Sequence, residues 1–315
     1  MFVFATSAVW SIAGRASLLH PVDASHDSYT MMIQGRFAPS PTGPLHLGSL
    51  LAALGSFLSV KRRGGNWLVR FDDMDTPRNV PGAIEDILRT LANHGLVPDR
   101  PPLLQSQRVA AYQSALERLQ SLDLTFACQC SRKDLRGERI YPGTCRGLGL
   151  PFQGNAMRLK MPERTIRLSD HIHGVHSLGA QREVGDIILW RRDGNFAYHL
   201  ACAVDDAGGQ ITEVVRGADL LSETPAQIVL MELLGLTVPS YAHLPLVRHP
   251  SGVKLSKQTH APAVDLNDPA ENLRQCLQWL GIQVPFVAKS WTVAALLEFS
   301  VQRFSLDQVP RVLPI

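Results

Sequence analysis

The sequence predicts an α/β fold: a parallel sheet interrupted by an inserted subdomain and completed by a helical C-terminal part. Three observations carry this. Between Gln34 and Gly95 the apolar residues pass twice from strand-like runs to helical spacing, and a βαβα order of this kind calls for parallel strands with helices on the sheet faces. After Leu122 the texture changes to short strands and Gly/Pro turns, which last until about Gln181. From Asp186 the strand–helix alternation resumes, and from Pro269 the chain is helical and apolar enough to pack on the main body.

Taken in order, Gln34 to Ala38 is a short strand, followed by a Gly/Pro turn and a helix on which Leu47, Leu50, Leu51, Leu54 and Leu58 recur at helical spacing. Gly64-Gly65 ends that helix, and Trp67 to Phe71 is a second strand of buried type. Its exit carries Asp72, Asp73 and Asp75, before a helix with Ile84, Ile87, Leu88 and Leu91 on one face and Gly95 as its stop. Ser106 to Leu122 is one more helix, with Val109, Tyr112, Leu116 and Leu119 facing inward. In the second half, Ile187 to Trp190, Phe196 to Val204 and Glu213 to Arg216 continue the alternation. Thr224-Pro225 supplies the cap and first residue of a helix that runs to Leu234 and is closed by Gly235. His243 to Arg248 is the last strand. Ligands of such a sheet sit beyond the carboxyl ends of its strands, where Arg36, His46 and Asp72 are expected to converge.

At 315 residues, 45% hydrophobic and 19% charged, the chain can fill more than one core and lacks the profile of a disordered polymer. A net charge of +3 permits contact with nucleic acid without announcing it. No apolar run reaches membrane-spanning length, so no membrane partner is expected. Met1 to Ile12 is apolar but lacks the basic start of a secretory leader. Five cysteines, three of them between 128 and 145, fit reduced thiols or a metal site better than a disulfide framework. That points to the cytosol.

Two short motifs bear on chemistry. Pro41-Thr42-Gly43-Pro44-Leu45-His46-Leu47-Gly48-Ser49 brings a tight turn, an imidazole and backbone N–H groups to a helix start, a place suited to phosphate. Lys254-Leu255-Ser256-Lys257-Gln258 offers two lysines on one turn. Each alone has an ordinary reading, as a loop before a helix or a solvated hairpin tip. Together, in this order, they describe an enzyme that grips ATP from both ends.

A third cluster lies in the inserted region. Cys128-Gln129-Cys130 and Tyr141-Pro142-Gly143-Thr144-Cys145 offer three thiolates, with the Tyr141 phenol as a candidate fourth donor, and tetrahedral zinc needs four. The alternative is three small buried residues that are merely near in sequence. His171, His173 and His176 are a weaker candidate: on a strand-to-turn the first two share a side and the third does not, so no metal is assigned there. Cys202 and Cys276 sit in apolar runs and belong to the core.

With these motifs the chain resembles the class I aminoacyl-tRNA synthetases of the glutamyl type from about Gly35 to about Leu266. His46-Leu47-Gly48-Ser49 stands for the HIGH signature of that family, and Lys254 to Gln258 for its KMSKS signature. The resemblance implies a class I synthetase Rossmann-like sheet and a two-step reaction. The α-carboxylate of L-glutamate attacks the α-phosphorus of ATP with Mg²⁺ present, pyrophosphate leaves, and the glutamyl group passes to an RNA hydroxyl. It places His46 and Lys257 in catalysis, and His46, Gly48, Lys254 and Lys257 on ATP. Arg36, Phe37, Ala38, Pro39, Ser40, Asp72, Tyr198 and Arg216 fall to glutamate. A guanidinium at Arg36 suits a two-pronged grip on a carboxylate. Asp72 stands where the family commonly has Glu, with a shorter reach to the substrate ammonium, and Ser49 replaces the second histidine of the signature.

Only about fifty residues follow Asp265, too few for a further full domain that reads an anticodon. The chain is therefore similar to the truncated branch of the family, the glutamyl-queuosine tRNA(Asp) synthetases. That likeness implies glutamate activation without tRNA, transfer to queuosine at the wobble position of tRNA(Asp), and one zinc ion held by Cys128, Cys130, Tyr141 and Cys145. It also implies a cytoplasmic monomer. Splayed anticodon bases can be read by stacking and edge contacts, without a large basic surface. The alternatives are a short glutamyl- or glutaminyl-tRNA synthetase and a non-catalytic relic, which would have no need of both phosphate-binding ends. The expected divisions are an N-terminal extension over 1–33, the first half of the catalytic domain over 34–124, the zinc-bearing insertion over 125–184, the second half over 185–265 and a helical segment over 266–315.

Overall fold

The computed structural model describes residues 32–247 and 262–313. A Cβ at Gly35 would lie 2.4 Å from Val60 Cγ2. Having none, strand β1 (Gln34–Phe37) lets helix α1 (Leu47–Lys61) lie flush against it. Residues on every side of α1 are buried, from Leu50 to Val60, because it is sandwiched between the sheet and the C-terminal helices α6 (Pro269–Trp279) and α7 (Val293–Arg303). Gly64, with φ 67°, turns the chain into β2 (Asn66–Phe71), which runs parallel to β1 with Gln34 opposite Asn66 and Phe37 opposite Val69. Helix α2 (Ala83–Asn93) follows and stops at Gly95, φ 68°, as its sequence predicts.

The main sheet has seven strands in the order β3-β2-β1-β9-β10-β6-β7, where β3 is Leu103–Leu104, β9 Glu213–Gly217, β10 Ser240–Leu244, β6 Thr165–Asp170 and β7 Gly174–Gly179. All neighbours are parallel except the hairpin β6–β7. From β1 the chain first builds outward through β2 and β3, and later on the other side through β9 and β10. The switch point lies between β1 and β9, where an open α/β sheet leaves a crevice. One core, with α1, α2, α6 and α7, includes Leu54, Trp67, Leu277 and Leu296. The other packs α3 (Val109–Ser121), α4 (Tyr198–Gly208) and α5 (Thr224–Leu234) through Tyr112, Leu200 and Leu230.

Four details differ from the sequence reading. The strand expected over His243 to Arg248 lies earlier, as β10, and ends at Leu244. Val109 opens α3 but is 46% exposed, while Tyr112, Leu116 and Leu119 form its buried face. Thr224 does not cap α5. It has helical backbone angles, Glu223 precedes it as the cap residue, and the Thr224 hydroxyl turns inward to Arg216 and His243. The inserted region also divides. Its strands β4 (Thr125–Cys128) and β5 (Ala156–Leu159) form a small antiparallel sheet with β8 (Ile188–Trp190). Strand β6 instead joins the main sheet beside β10, with Asp170 opposite Tyr241. The cause is visible in β6 itself, where Ile166, Leu168 and Asp170 are buried and Thr165, Arg167 and Ser169 exposed, so one face needs a core. Among the described residues, no helix is long and apolar enough to cross a membrane.

Candidate active site and metal centre

Beyond the carboxyl ends of β1 and β9 opens a cavity of about 250 Å³, lined by Arg36 to Pro39, His46, Gly48, Ser49, Tyr198, Arg216 and the turn from Leu244 to Val247. His46 has extended backbone and caps α1, with its Nδ1 accepting the Ser49 N–H at 3.2 Å. Its Nε2 lies 3.1 Å from the Ser49 hydroxyl. The first turn of α1 carries no acidic residue, so none of its own side chains opposes the partial positive charge of the helix start where these residues line the cavity. Lys254 and Lys257 lie outside the described residues. The described chain on either side nevertheless adjoins this place: Val247 lines the cavity, Ala263 bridges His46, and the Val264 N–H donates to Leu45 O at 2.9 Å.

Beneath the cavity lies a buried ionic cluster. Arg36 donates to Asp206 through Nε at 3.0 Å and Nη2 at 3.1 Å, and Arg70 donates to the same carboxylate through Nη1 at 2.6 Å. Arg70 Nε reaches Asp72 at 2.7 Å. The neighbouring Asp205 accepts from the Tyr112 hydroxyl at 2.6 Å, Gln105 Nε2 at 3.0 Å and Arg108 Nε at 3.2 Å. Burial opposes ionisation of Asp206, yet the two arginines hold its carboxyl down at about 2. Burial also raises the Asp72 carboxyl above its ordinary value against the pull of Arg70, so this anion is short of positive charge.

Three expectations change on this geometry. The Nε/Nη2 edge of Arg36 is engaged by Asp206, so a two-pronged grip on a substrate through that edge is not available. Asp72 is tied to Arg70 and adjoins Cys202 at 3.8 Å without lining the cavity, and Ser40 is exposed and outside the lining. Cys202 is buried as expected, but against this charge cluster, with Arg70 Nη2 at 3.3 Å. Arg70, Asp205 and Asp206 escaped the sequence reading. The available signal was a pair of adjacent aspartates ending the apolar run Leu200 to Val204, since buried carboxylates require partners.

Arg216, at the end of β9, is 5% exposed. Its Nη2 donates to Thr224 Oγ1 at 2.8 Å and Gln227 Oε1 at 2.9 Å, and its Nε to His243 Nε2 at 3.2 Å. Nη1 is buried with no hydrogen-bond partner among the described residues. A guanidinium that lines a cavity with one nitrogen unsatisfied is a ready donor site for an oxyanion.

In the small sheet, the sulfurs of Cys128, Cys130 and Cys145 lie within 4.8 Å of one another, the only such group of candidate metal ligands among the described residues. Cys130 Sγ is 3.5 Å from Cys145 Sγ, and Tyr141 Oη is 3.5 Å and 3.8 Å from the sulfurs of Cys128 and Cys130. Arms of about 2.3 Å set tetrahedral zinc ligands roughly 3.7 Å apart, so the four donors fit. Burial works against a thiolate at Cys128, but Tyr141 and Arg158 bring it down to about 7. Arg158 lies 3.8 Å over the Tyr141 ring, and the Cys145 N–H donates to the Tyr141 oxygen at 2.8 Å. His173 by contrast spends Nε2 on His243 O at 3.0 Å, a structural bond.

Residues 32–144 and 152–295 match the family model for tRNA synthetases class I (E and Q), catalytic domain. The chain belongs to this family. Its relatives include the glutamyl-Q tRNA(Asp) synthetase of Dechloromonas aromatica, 47% identical over 88% of this chain and 96% of that protein. The protein of the same name from Thiobacillus denitrificans is 49% identical over 88% and 94%. Among solved structures, a glutamate tRNA ligase from Elizabethkingia meningosepticum in complex with its amino acid superposes with a TM-score of 0.74 at 28% identity. The match covers 89% of this chain and 66% of that one. The glutamate-tRNA synthetase of Elizabethkingia anophelis gives 0.75 at 28% identity, covering 90% and 68%. Within its family the chain thus stands with the glutamyl-Q tRNA(Asp) synthetases, whose length it shares.

Proposed function

We propose that this chain activates L-glutamate with ATP in the absence of tRNA and transfers the glutamyl group to queuosine at the wobble position of tRNA(Asp). The observation that carries it is the name borne by relatives 43–50% identical over 79–89% of the chain. The cavity supports the first step. No covalent protein nucleophile is required, because the substrate's own carboxylate attacks the α-phosphorus and pyrophosphate departs. Catalysis is positioning plus stabilisation of charge on phosphate oxygens. His46, Gly48 and the start of α1 serve one end of ATP, Lys254 and Lys257 the other, and Mg²⁺ accompanying ATP offsets its charge.

The amino-acid end falls to Arg216, whose Nη1 wants an oxyanion, with Arg36, Tyr198 and the backbone of Phe37, Ala38 and Pro39 around it. Asp72 is our assignment for the substrate ammonium, a role that requires it to part from Arg70 and turn toward the cavity it does not line here. Cys128, Cys130, Cys145 and Tyr141 hold one zinc ion, which cross-links the small sheet to its loop.

Two assays test this. Glutamate-dependent exchange between ATP and pyrophosphate should proceed without RNA. Labelled glutamate should then pass to tRNA(Asp) that lacks its terminal adenosine, and not to the same tRNA made without queuosine. Removing the terminal adenosine is essential, because queuosine and the terminal ribose both carry a cis-diol. Preference for unmodified tRNA(Glu) with an intact terminus would identify a short glutamyl-tRNA synthetase instead.

A further inference from the structure

Arg216 is held from behind by a buried pair of residues. His243 in β10 and Asp170 at the end of β6 are fully buried, with His243 Nδ1 2.6 Å from Asp170 Oδ2. The other oxygen of Asp170 accepts the N–H groups of Ile172 at 3.0 Å and His173 at 2.8 Å, so the carboxylate is locked by the hairpin turn. An ionised carboxylate only accepts, so the imidazole proton must sit on Nδ1, leaving Nε2 as an acceptor. Nε2 is the atom that meets the Arg216 Nε–H at 3.2 Å. Thr224 Oγ1 lies 3.0 Å from the same nitrogen, so a proton on Nε2 would turn to Thr224 and set two donors against each other at Arg216.

We propose that Asp170 and His243 are positioning residues, a tautomer-fixing dyad that holds Arg216 so that its unpartnered Nη1 is presented to the amino-acid substrate's carboxylate. The proposal rests on the reading of Arg216 as a substrate contact. Thr224 and Gln227 fix Nη2, and His243 fixes Nε. With two of three nitrogens anchored, the plane of the guanidinium is set and the third nitrogen has one direction. The dyad joins three neighbouring strands of the main sheet, with Asp170 in β6 from the stretch that reads as inserted, His243 in β10 and Arg216 in β9. That hairpin is therefore part of the amino-acid site.

The test is glutamate-dependent ATP–pyrophosphate exchange with the full chain, measuring KM for glutamate and for ATP separately. His243→Leu removes the acceptor. Asp170→Asn is isosteric: its oxygen stays with the turn N–H groups, its amide then faces Nδ1, and the proton is driven to Nε2, the wrong tautomer. Both should raise KM for glutamate about tenfold, the equivalent of one charge-assisted hydrogen bond, with KM for ATP unchanged. His243→Gln returns an acceptor oxygen near the Nε2 position and should recover KM for glutamate to within about threefold of the original. Partial unfolding lowers the maximal rate without moving KM, so a merely structural role is told apart. Unchanged KM for glutamate in His243→Leu and Asp170→Asn, equal rises in both KM values, or a His243→Gln variant no better than His243→Leu would each overturn the proposal. Arg216→Ala separates the levels. If it leaves KM for glutamate unchanged, the underlying reading of Arg216 has failed. If it raises that KM and His243→Leu does not, only the dyad has.

Discussion

Replacing Asp206 by Asn keeps the shape of the side chain and removes the charge on which two buried guanidiniums depend. The three bonds it accepts, from Arg36 at 3.0 and 3.1 Å and Arg70 at 2.6 Å, are shielded by side chains between 1% and 5% exposed. Removing one partner of a buried ion pair costs about 3–5 kcal/mol. The titration of Asp206 agrees in sign. The arginines hold the Asp206 carboxyl down at about 2, so its charged form is the one the folded cluster favours, in the same direction. Arg70 retains Asp72, which favours the lower end, so a loss of about 3 kcal/mol is expected.

Urea unfolding checks it. With a slope near 3 kcal/mol per molar, the midpoint at pH 7 should fall by about 1 M. The sign of the pH dependence follows from the lowered folded value. The contribution is complete above the ordinary aspartate range near pH 4 and disappears as pH falls through about 2. At pH 3 the gap between the original and Asp206→Asn should be about half its neutral size. A midpoint shift below about 0.3 M at pH 7, or a gap as wide at pH 3 as at pH 7, would refute the buried-cluster argument.

Two further outcomes are expected. Cys130→Ser should lose most of the zinc that elemental analysis finds at about one equivalent per chain, with loss of structure in the small sheet, whereas a metal-free folded protein would exclude the site. Tyr141→Phe that keeps its zinc removes only the phenol from the ligand set. Lys257→Ala should depress pyrophosphate exchange by about a hundredfold or more, since one charged transition-state contact is worth roughly 3 kcal/mol, and unchanged exchange would remove Lys257 from catalysis.

The parts of this fold legible in the sequence are those fixed by neighbours along the chain. Leu50, Leu54 and Leu58 repeat at helical spacing and do form one buried helix, and Gly95 and Gly235 stop helices with positive φ, 68° and 71°. A crevice beyond the strand ends beside Arg36 and His46 is what the strand–helix alternation predicts, although Asp72, expected with them, does not line it. What escaped depends on pairing across great distances. Arg36 meets Asp206 across 170 residues, and no local pattern names that partner. The alternation in β6 announces a half-buried strand but not which sheet receives it. Thr224 has the residue type of a cap, and a buried arginine competing for its hydroxyl decides otherwise. Val109 shows the same limit: a first-turn position can sit on the apolar stripe and still face water.

The burial of α1 on all sides bears on how the anion site performs. A helix start that must settle around phosphate at each encounter would give up part of the binding energy to its own ordering. Here Leu273, Leu277, Leu280 and Leu296 wall the helix against the sheet, and Cys276 Sγ lies 3.9 Å from the Leu47 carbonyl in its first turn. The donors near His46 are therefore aimed before any nucleotide arrives, by residues more than two hundred positions downstream, none of which lines the cavity. A shortened enzyme that keeps every signature residue but ends before α6 would hold the same chemistry on a loosened mount, and should show it as weaker ATP binding well before it fails to fold.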